Sequence, residues 1–207
     1  MYTCSIYWVI YRTSIILSKD VYFTPFHTQH VQKNFYDTDG KINSCFKDNT
    51  FGIILKLQDE KSNTFVFGYT SDTSFSNDLV DCLKGTNCLV ANISGIYEDD
   101  YLQLHYKERH LGYAGCKTLL EKVNPDLFIV SEFWNGITDL RFDVCKDLQT
   151  KATKKVLPGE IGLQIELQTN NVRCSICGSY INAKQIKVIA PSSQMKEIVF
   201  VCNNCTY

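Results

Sequence analysis

Apolar residues fall into short runs bounded by polar connections, the pattern of buried strands rather than of long helices. Phe51–Leu57 and Thr64–Tyr69 flank the polar stretch Asp59-Glu60-Lys61-Ser62-Asn63, a connection of hairpin length, and are expected to pair antiparallel. Cys88–Ile93 and Leu127–Val130 are further apolar runs with β-branched centres and read as buried strands.

Between these two runs the period changes. From Tyr113 to Val123 the apolar side chains Cys116, Leu119, Leu120 and Val123 share one helical face, and Asn124-Pro125 ends the helix. Leu140, Val144 and Leu148 recur every fourth residue, predicting a helix over Asp139–Gln149 with Asp139 as its cap. Ser74–Leu83 also suits a helix, for which Asp72 is one candidate cap. Strands alternating with helices give an α/β layer, a mixed sheet with flanking helices. Thr150–Gly159, with Lys151, Lys154, Lys155 and Pro158-Gly159, reads as an exposed connection. Beyond it Leu163, Ile165 and Leu167 alternate with polar residues as in a half-buried strand. The expected organisation is an α/β domain over residues 1–150, a connection and strand over 151–171, and a small β ribbon over 172–207.

Cysteine spacing defines that last segment. Cys174-Ser-Ile-Cys177 and Cys202-Asn-Asn-Cys205 are two Cys-x-x-Cys knuckles. Each places two thiolates on one turn, and together they can close a tetrahedron around Zn²⁺ at about 2.3 Å. Gly178 suits the bend after the first knuckle, and Lys184–Ile189 with Lys196–Val201 resemble a ribbon carrying the second. A four-thiolate site is closed to substrate, so its zinc is structural. Disulfides are the weaker reading in a reducing compartment, and a cytoplasmic location is expected. Cys4, Cys45, Cys82, Cys88, Cys116 and Cys145 show no ligand spacing and read as small core residues.

Charge changes the picture little. The 207 residues carry a formal net charge of −1, which gives no global steering to nucleic acid or membrane. Residues 150–207 hold seven basic against three acidic side chains, enough to admit weak nucleic-acid contact by the ribbon. Four thiolates and one Zn²⁺ remove about two of those charges. The apolar segment Ile6–Leu17 is interrupted by Arg12 and falls short of the roughly 20 residues of a membrane span, so it reads as a strand.

The remaining chemistry sits where strand runs end. Phe65–Tyr69 leads into Thr70-Ser71-Asp72-Thr73, and Leu127–Val130 leads into Ser131-Glu132-Phe133-Trp134, with His110-Leu111 between them. A sheet edge can assemble a metal site from such scattered residues. These strings resemble the second half of the metallo-β-lactamase fold, in its ribonuclease Z-like hydrolase branch. In that family the aspartate of a Ser-Asp-Thr turn bridges two metal ions, a His-Leu loop supplies a catalytic histidine, and a Thr-His-Phe strand end supplies another ligand. The resemblance, over roughly residues 20–150, implies Asp72 as the bridging ligand, His110 as the catalytic acid, and His27 or the neighbouring His30 as the upstream histidine. Glu132 stands where the family has histidine. The family's first half, with its His-x-His-x-Asp-His cluster, has no counterpart here.

Each of these residues has a second reading. Glu132 is either an oxygen ligand or a salt-bridge partner of Arg141, whose planar fork suits a carboxylate. Trp134 is either an aromatic contact to a base or sugar or a core residue, and Arg141 joins it as a candidate substrate contact. His110 is either a proton donor to a leaving group or an exposed loop residue. A two-metal site needs roughly six to eight donors, and Asp72, one histidine and Glu132 fall short of that. The expectation is thus a metal-dependent hydrolase of phosphodiesterase type, inactive alone, with a second metal at the degenerate site and a partner chain supplying the missing half. The alternative is a non-catalytic zinc-ribbon module binding protein or nucleic acid.

Overall fold

The computed structural model describes residues 15–28, 50–94, 110–133, 140–190 and 197–205. Its centre is a seven-stranded sheet in the order β1-β2-β3-β4-β5-β6-β7. The strands are β1 (Ile15–Ser18), β2 (Val21–His27), β3 (Phe51–Gln58), β4 (Thr64–Tyr69), β5 (Cys88–Asn92), β6 (Leu127–Ser131) and β7 (Lys155–Pro158). The first four pair antiparallel, and β4 through β7 pair parallel. Parallel neighbours require crossovers, and α1 (Asn77–Leu83), α2 (Gly112–Val123) and α3 (Arg141–Lys151) lie in those connections. The described residues are mixed α/β, as the sequence pattern predicts.

The period of two along the strands sorts side chains between two cores. Leu89, Ala91, Phe128, Val130 and Val156 join Leu83, Leu119, Leu120 and Leu148 from the helices. Cys88, Leu127, Ile129 and Leu157, from the same strands, point into a second core on the other face. Such continuous apolar runs are what a sheet buried on both faces demands.

Local signals explain most boundaries. Pro25 lies in β2 past the last residue paired with β1, where its missing N–H breaks no described ladder bond. Phe26 stacks over Gly52, its cross-strand partner; a Cβ at that glycine would sit 2.1 Å from the ring. Asn124 ends α2 in the left-handed conformation at φ 50°, its N–H donating to the Leu120 carbonyl. Ser76 caps α1, accepting from the Leu79 N–H at 3.1 Å, so Asp72 is not that helix's cap.

Three expectations need correction. Thr150–Gly159 is not an exposed connection: Val156, Leu157 and Pro158 are buried in β7, the parallel partner of β6. The lysines that suggested exposure are anchored, with Lys154 on Asp126 at 2.7 Å and Lys155 donating to the Ile186 carbonyl at 2.8 Å. Second, Leu140 precedes α3 and is 42% exposed; Cys145 takes the core position beside Val144 and Leu148. The proposed cap Asp139 lies outside the described residues. Third, the alternation at Leu163–Leu167 yields only a two-residue strand, β8 (Ile165–Glu166).

The C-terminal segment forms two small sheets. β8, β9 (Asn171–Arg173) and β10 (Tyr180–Asn182) make one, in the order β10-β9-β8. β11 (Ile186–Ile189) and β12 (Val199–Cys202) make the other, antiparallel as expected, with Lys184 and Gln185 in a 3-10 turn before it. Among the described residues no helix is long and apolar enough to cross a membrane.

Candidate functional site

Two clusters of chemically capable side chains emerge. The first occupies the carboxyl ends of β4, β5 and β6, the edge at which open α/β sheets bind ligands. Its backbone is held in an unfavourable form. Ser71, Ser94 and Glu132, each just past one of these strands, have φ of 57°, 53° and 53°. Left-handed non-glycine residues cost free energy and persist where surrounding bonds enforce them. Here the Ser94 N–H donates to the Glu132 carbonyl at 3.0 Å, Ile93 N–H to Ser131 at 2.9 Å, and Gly112 N–H to Ile93 at 3.0 Å.

The strain delivers three predicted residues to one place. The Asp72 carboxylate accepts from the Ser94 hydroxyl at 3.3 Å and lies 3.8 Å from His110 Nδ1. Its charge also reaches the Glu132 carboxyl. Partial desolvation, then the hydrogen bond to Asp72 and its negative charge, push the Glu132 pKa up to about 7.

Asn92 organises the cluster and was missed by sequence reasoning. It is 2% exposed at the end of β5. Its amide nitrogen donates to Glu132 Oε2 at 2.8 Å and to the Tyr69 hydroxyl at 3.1 Å, while its oxygen accepts from Ser131 Oγ at 2.7 Å. One buried amide thus ties β4, β5 and β6 together beneath the carboxyl pair. A polar residue closing the apolar run Cys88–Ala91 was its only sequence signal.

The other expected residues are placed differently. Arg141 pairs with Glu160, not Glu132, at 2.6 Å, with side chains 16% and 5% exposed. The pair joins the start of α3 to the loop after β7, because the unexpected strand β7 brings Glu160 to this edge. His27 is exposed at the end of β2, its Nδ1 2.8 Å from the Thr28 carbonyl oxygen. His30 and Trp134 lie outside the described residues.

The second cluster is Cys174, Cys177, Cys202 and Cys205, whose sulfur atoms all lie within 4.8 Å of one another. Among the described residues it is the only group of three or more histidine, cysteine or acidic side chains gathered this tightly. The Cys174–Cys205 and Cys177–Cys202 sulfurs are 4.0 and 3.9 Å apart. A tetrahedral zinc with bonds of about 2.3 Å needs sulfurs about 3.8 Å apart, which these two separations approach. Gly178, at φ 75°, donates to the Cys174 carbonyl at 2.9 Å and closes the first knuckle. Desolvation opposes ionisation of Cys174, yet the surrounding N–H groups of Cys177, Cys202 and Ile176 hold its thiol at about 6. Cys88, by contrast, is pushed up to about 12 by burial and is a core residue.

No protein-family model matches the sequence, and no curated protein is significantly similar to it. Solved structures do match. Zn²⁺-bound PqqB from Methylobacterium extorquens aligns at TM-score 0.51 and 14% identity, over 70% of this chain and 50% of that one. Isothiocyanate hydrolase from Delia radicum gut bacteria aligns at TM-score 0.50 and 17% identity, over 70% and 53%. The metallo-β-lactamase fold protein YhfI from Bacillus subtilis matches more loosely, at TM-score 0.48 and 9% identity over 70% and 49%. At these identities the likeness concerns the fold alone: this chain carries a metallo-β-lactamase-like α/β fold and spans about half the length of the solved proteins it matches.

Proposed function

We propose that the strand-end cluster is an incomplete metal-dependent hydrolase site. Asp72 and Glu132 would be its oxygen ligands, His27 or His30 its imidazole ligand, and His110 its proton donor. The observation that carries this reading is the meeting of Asp72, Glu132 and His110 at one sheet edge, with the backbone of Ser71, Ser94 and Glu132 held left-handed there. A bound ion there would activate water toward a phosphodiester or related ester. His110 stands beside Asp72, ready to pass a proton to a leaving group, and Asn92 keeps Glu132 oriented. Trp134 and Arg141, the candidate substrate contacts, belong to the connection between β6 and α3 and that helix's first residue. With so few donors the isolated chain is inactive, and a partner chain supplies the missing ligands. The ion of the cysteine quartet is zinc, held structurally in a cytoplasmic protein. Metal titration with Mn²⁺ or Zn²⁺ alongside phosphodiesterase assay tests this. The reading predicts a second ion, beyond the one held by cysteines, that Asp72→Ala abolishes; a single ion in both proteins would sink it.

A second reading rests on the ribbon surface. Ile176 and Tyr180 are each 46% exposed there, Tyr180 paired across the strands with the exposed Arg173, and Lys184 and Lys187 are exposed on the same segment. Apolar and basic groups together suit contact with a protein or a nucleic acid. On this reading the degenerate edge is inert, and Tyr180→Ala weakens binding of single-stranded RNA or a partner protein without changing metal content.

A further inference from the structure

We propose that the cysteine ribbon is the covering layer of the sheet's second face, so that the ion bound by its four thiolates holds the whole α/β domain together and not the ribbon alone. The proposal concerns only the cysteine quartet and is independent of the hydrolase reading.

Consider what lies on each face. The helices α1, α2 and α3 cover one. The other presents Phe65 from β4, Cys88 from β5, Leu127 and Ile129 from β6, and Leu157 from β7, all at most 9% exposed. The side chains that bury them come from the ribbon: Val172, Ala183, Ile186, Ile198 and Phe200, with Leu163, Ile165 and Val188 at the margin. Two of the four cysteines belong to this core. Cys174 is 0% and Cys202 2% exposed, whereas Cys177 is exposed and Cys205 half-buried. The quartet thus has an outer half facing solvent and an inner half packed in the same core as the large sheet.

The ribbon's strands are too short to hold this arrangement unaided. They have two to four residues each. Their connections converge on the ligands: Ser175 N–H donates to the Phe200 carbonyl at 2.7 Å, Phe200 N–H to Ser175 Oγ at 3.1 Å, and Cys202 N–H to Cys174 Sγ at 3.4 Å. Among the described residues, Lys155 Nζ tethers the ribbon to the large sheet by donating to the Ile186 carbonyl at 2.8 Å. Removing the ion leaves four clustered thiols with no tetrahedral centre. The knuckles open, Phe200 and Ile186 withdraw, and water reaches Phe65, Leu127, Ile129 and Leu157 together. A parallel sheet bare on one face does not persist.

The test is hydrogen exchange on the full chain under reducing conditions, before and after a strong chelator removes the thiolate-bound metal, with metal counted by mass spectrometry. The expected result is that peptides over 88–92 and 127–131 exchange at least tenfold faster in the same step in which 171–205 lose protection. Added Zn²⁺ restores both. Cys177→Ser removes the exposed ligand without emptying the core and is expected to give the same pattern. If 171–205 open while 88–92 and 127–131 stay protected, or if the protein holds no thiolate-bound metal yet is protected throughout, the proposal is overturned.

Discussion

The strand-end cluster and the cysteine quartet draw on distant parts of the chain, but one is open and the other closed. The quartet pairs two knuckles, each fixed by local spacing, and its sulfurs gather within 4.8 Å, close enough to share one ion. The strand-end cluster takes one residue from each of several elements and sets the Glu132 carboxyl, its pKa raised by burial and by Asp72, near His110. A closed site stabilises the fold, whereas an open one stores strain that binding or chemistry can use.

The sharpest way to break this contrast is Cys202→Ser. The change removes a ligand and places a hydroxyl in a core position 2% exposed. Loss of the metal and of about 3 kcal/mol or more is expected in urea unfolding. Asn92→Ala comes next: it strips the partner from Ser131, Tyr69 and Glu132, and a loss of about 2 kcal/mol should appear in the same assay with the cysteine-bound metal retained.

Asp72→Asn is expected to act in the opposite direction. Removing one of two adjacent carboxylates relieves their repulsion, so the thermal midpoint of the metal-free site at pH 8 should rise by a degree or so, corresponding to roughly 0.5 kcal/mol. A fall of the midpoint would show that Asp72 is held by favourable bonds and not by strain.

The smallest effect is in pH dependence. The folded-state pKa of Glu132 is raised to about 7, so the proton it holds favours folding at low pH, and that contribution is lost as pH rises through about 7. With the edge free of metal, stability should therefore decline between about pH 4.5, the ordinary carboxyl value, and about 7, and level off above it. Glu132→Gln should flatten that slope; an unchanged slope would place its origin elsewhere.

What the sequence displayed followed from local rules. The hairpin of β3 and β4, the apolar runs of β5 and β6 and the helical face of α2 were all legible, because period and turn chemistry act between near neighbours. β7 was not. Lysines preceded a run of three apolar residues, and only Asp126 and the Ile186 carbonyl, both remote in sequence, showed why those lysines do not mark an exposed connection. Missing β7 in turn hid Glu160, so Arg141 was offered Glu132 as an alternative partner.

The sequence by itself determined the cysteine quartet, the strand and helix periods, and the candidate trio Asp72, His110 and Glu132. Spacing within one turn and period along one element are properties of the local chain. Tertiary structure alone decided that Asn92 orients Glu132, that Arg141 belongs to Glu160, and that the ribbon lies on the sheet's second face. Those outcomes depend on which strand lies beside which and on which face needs covering, and such pairings are settled by the free energy of the whole fold.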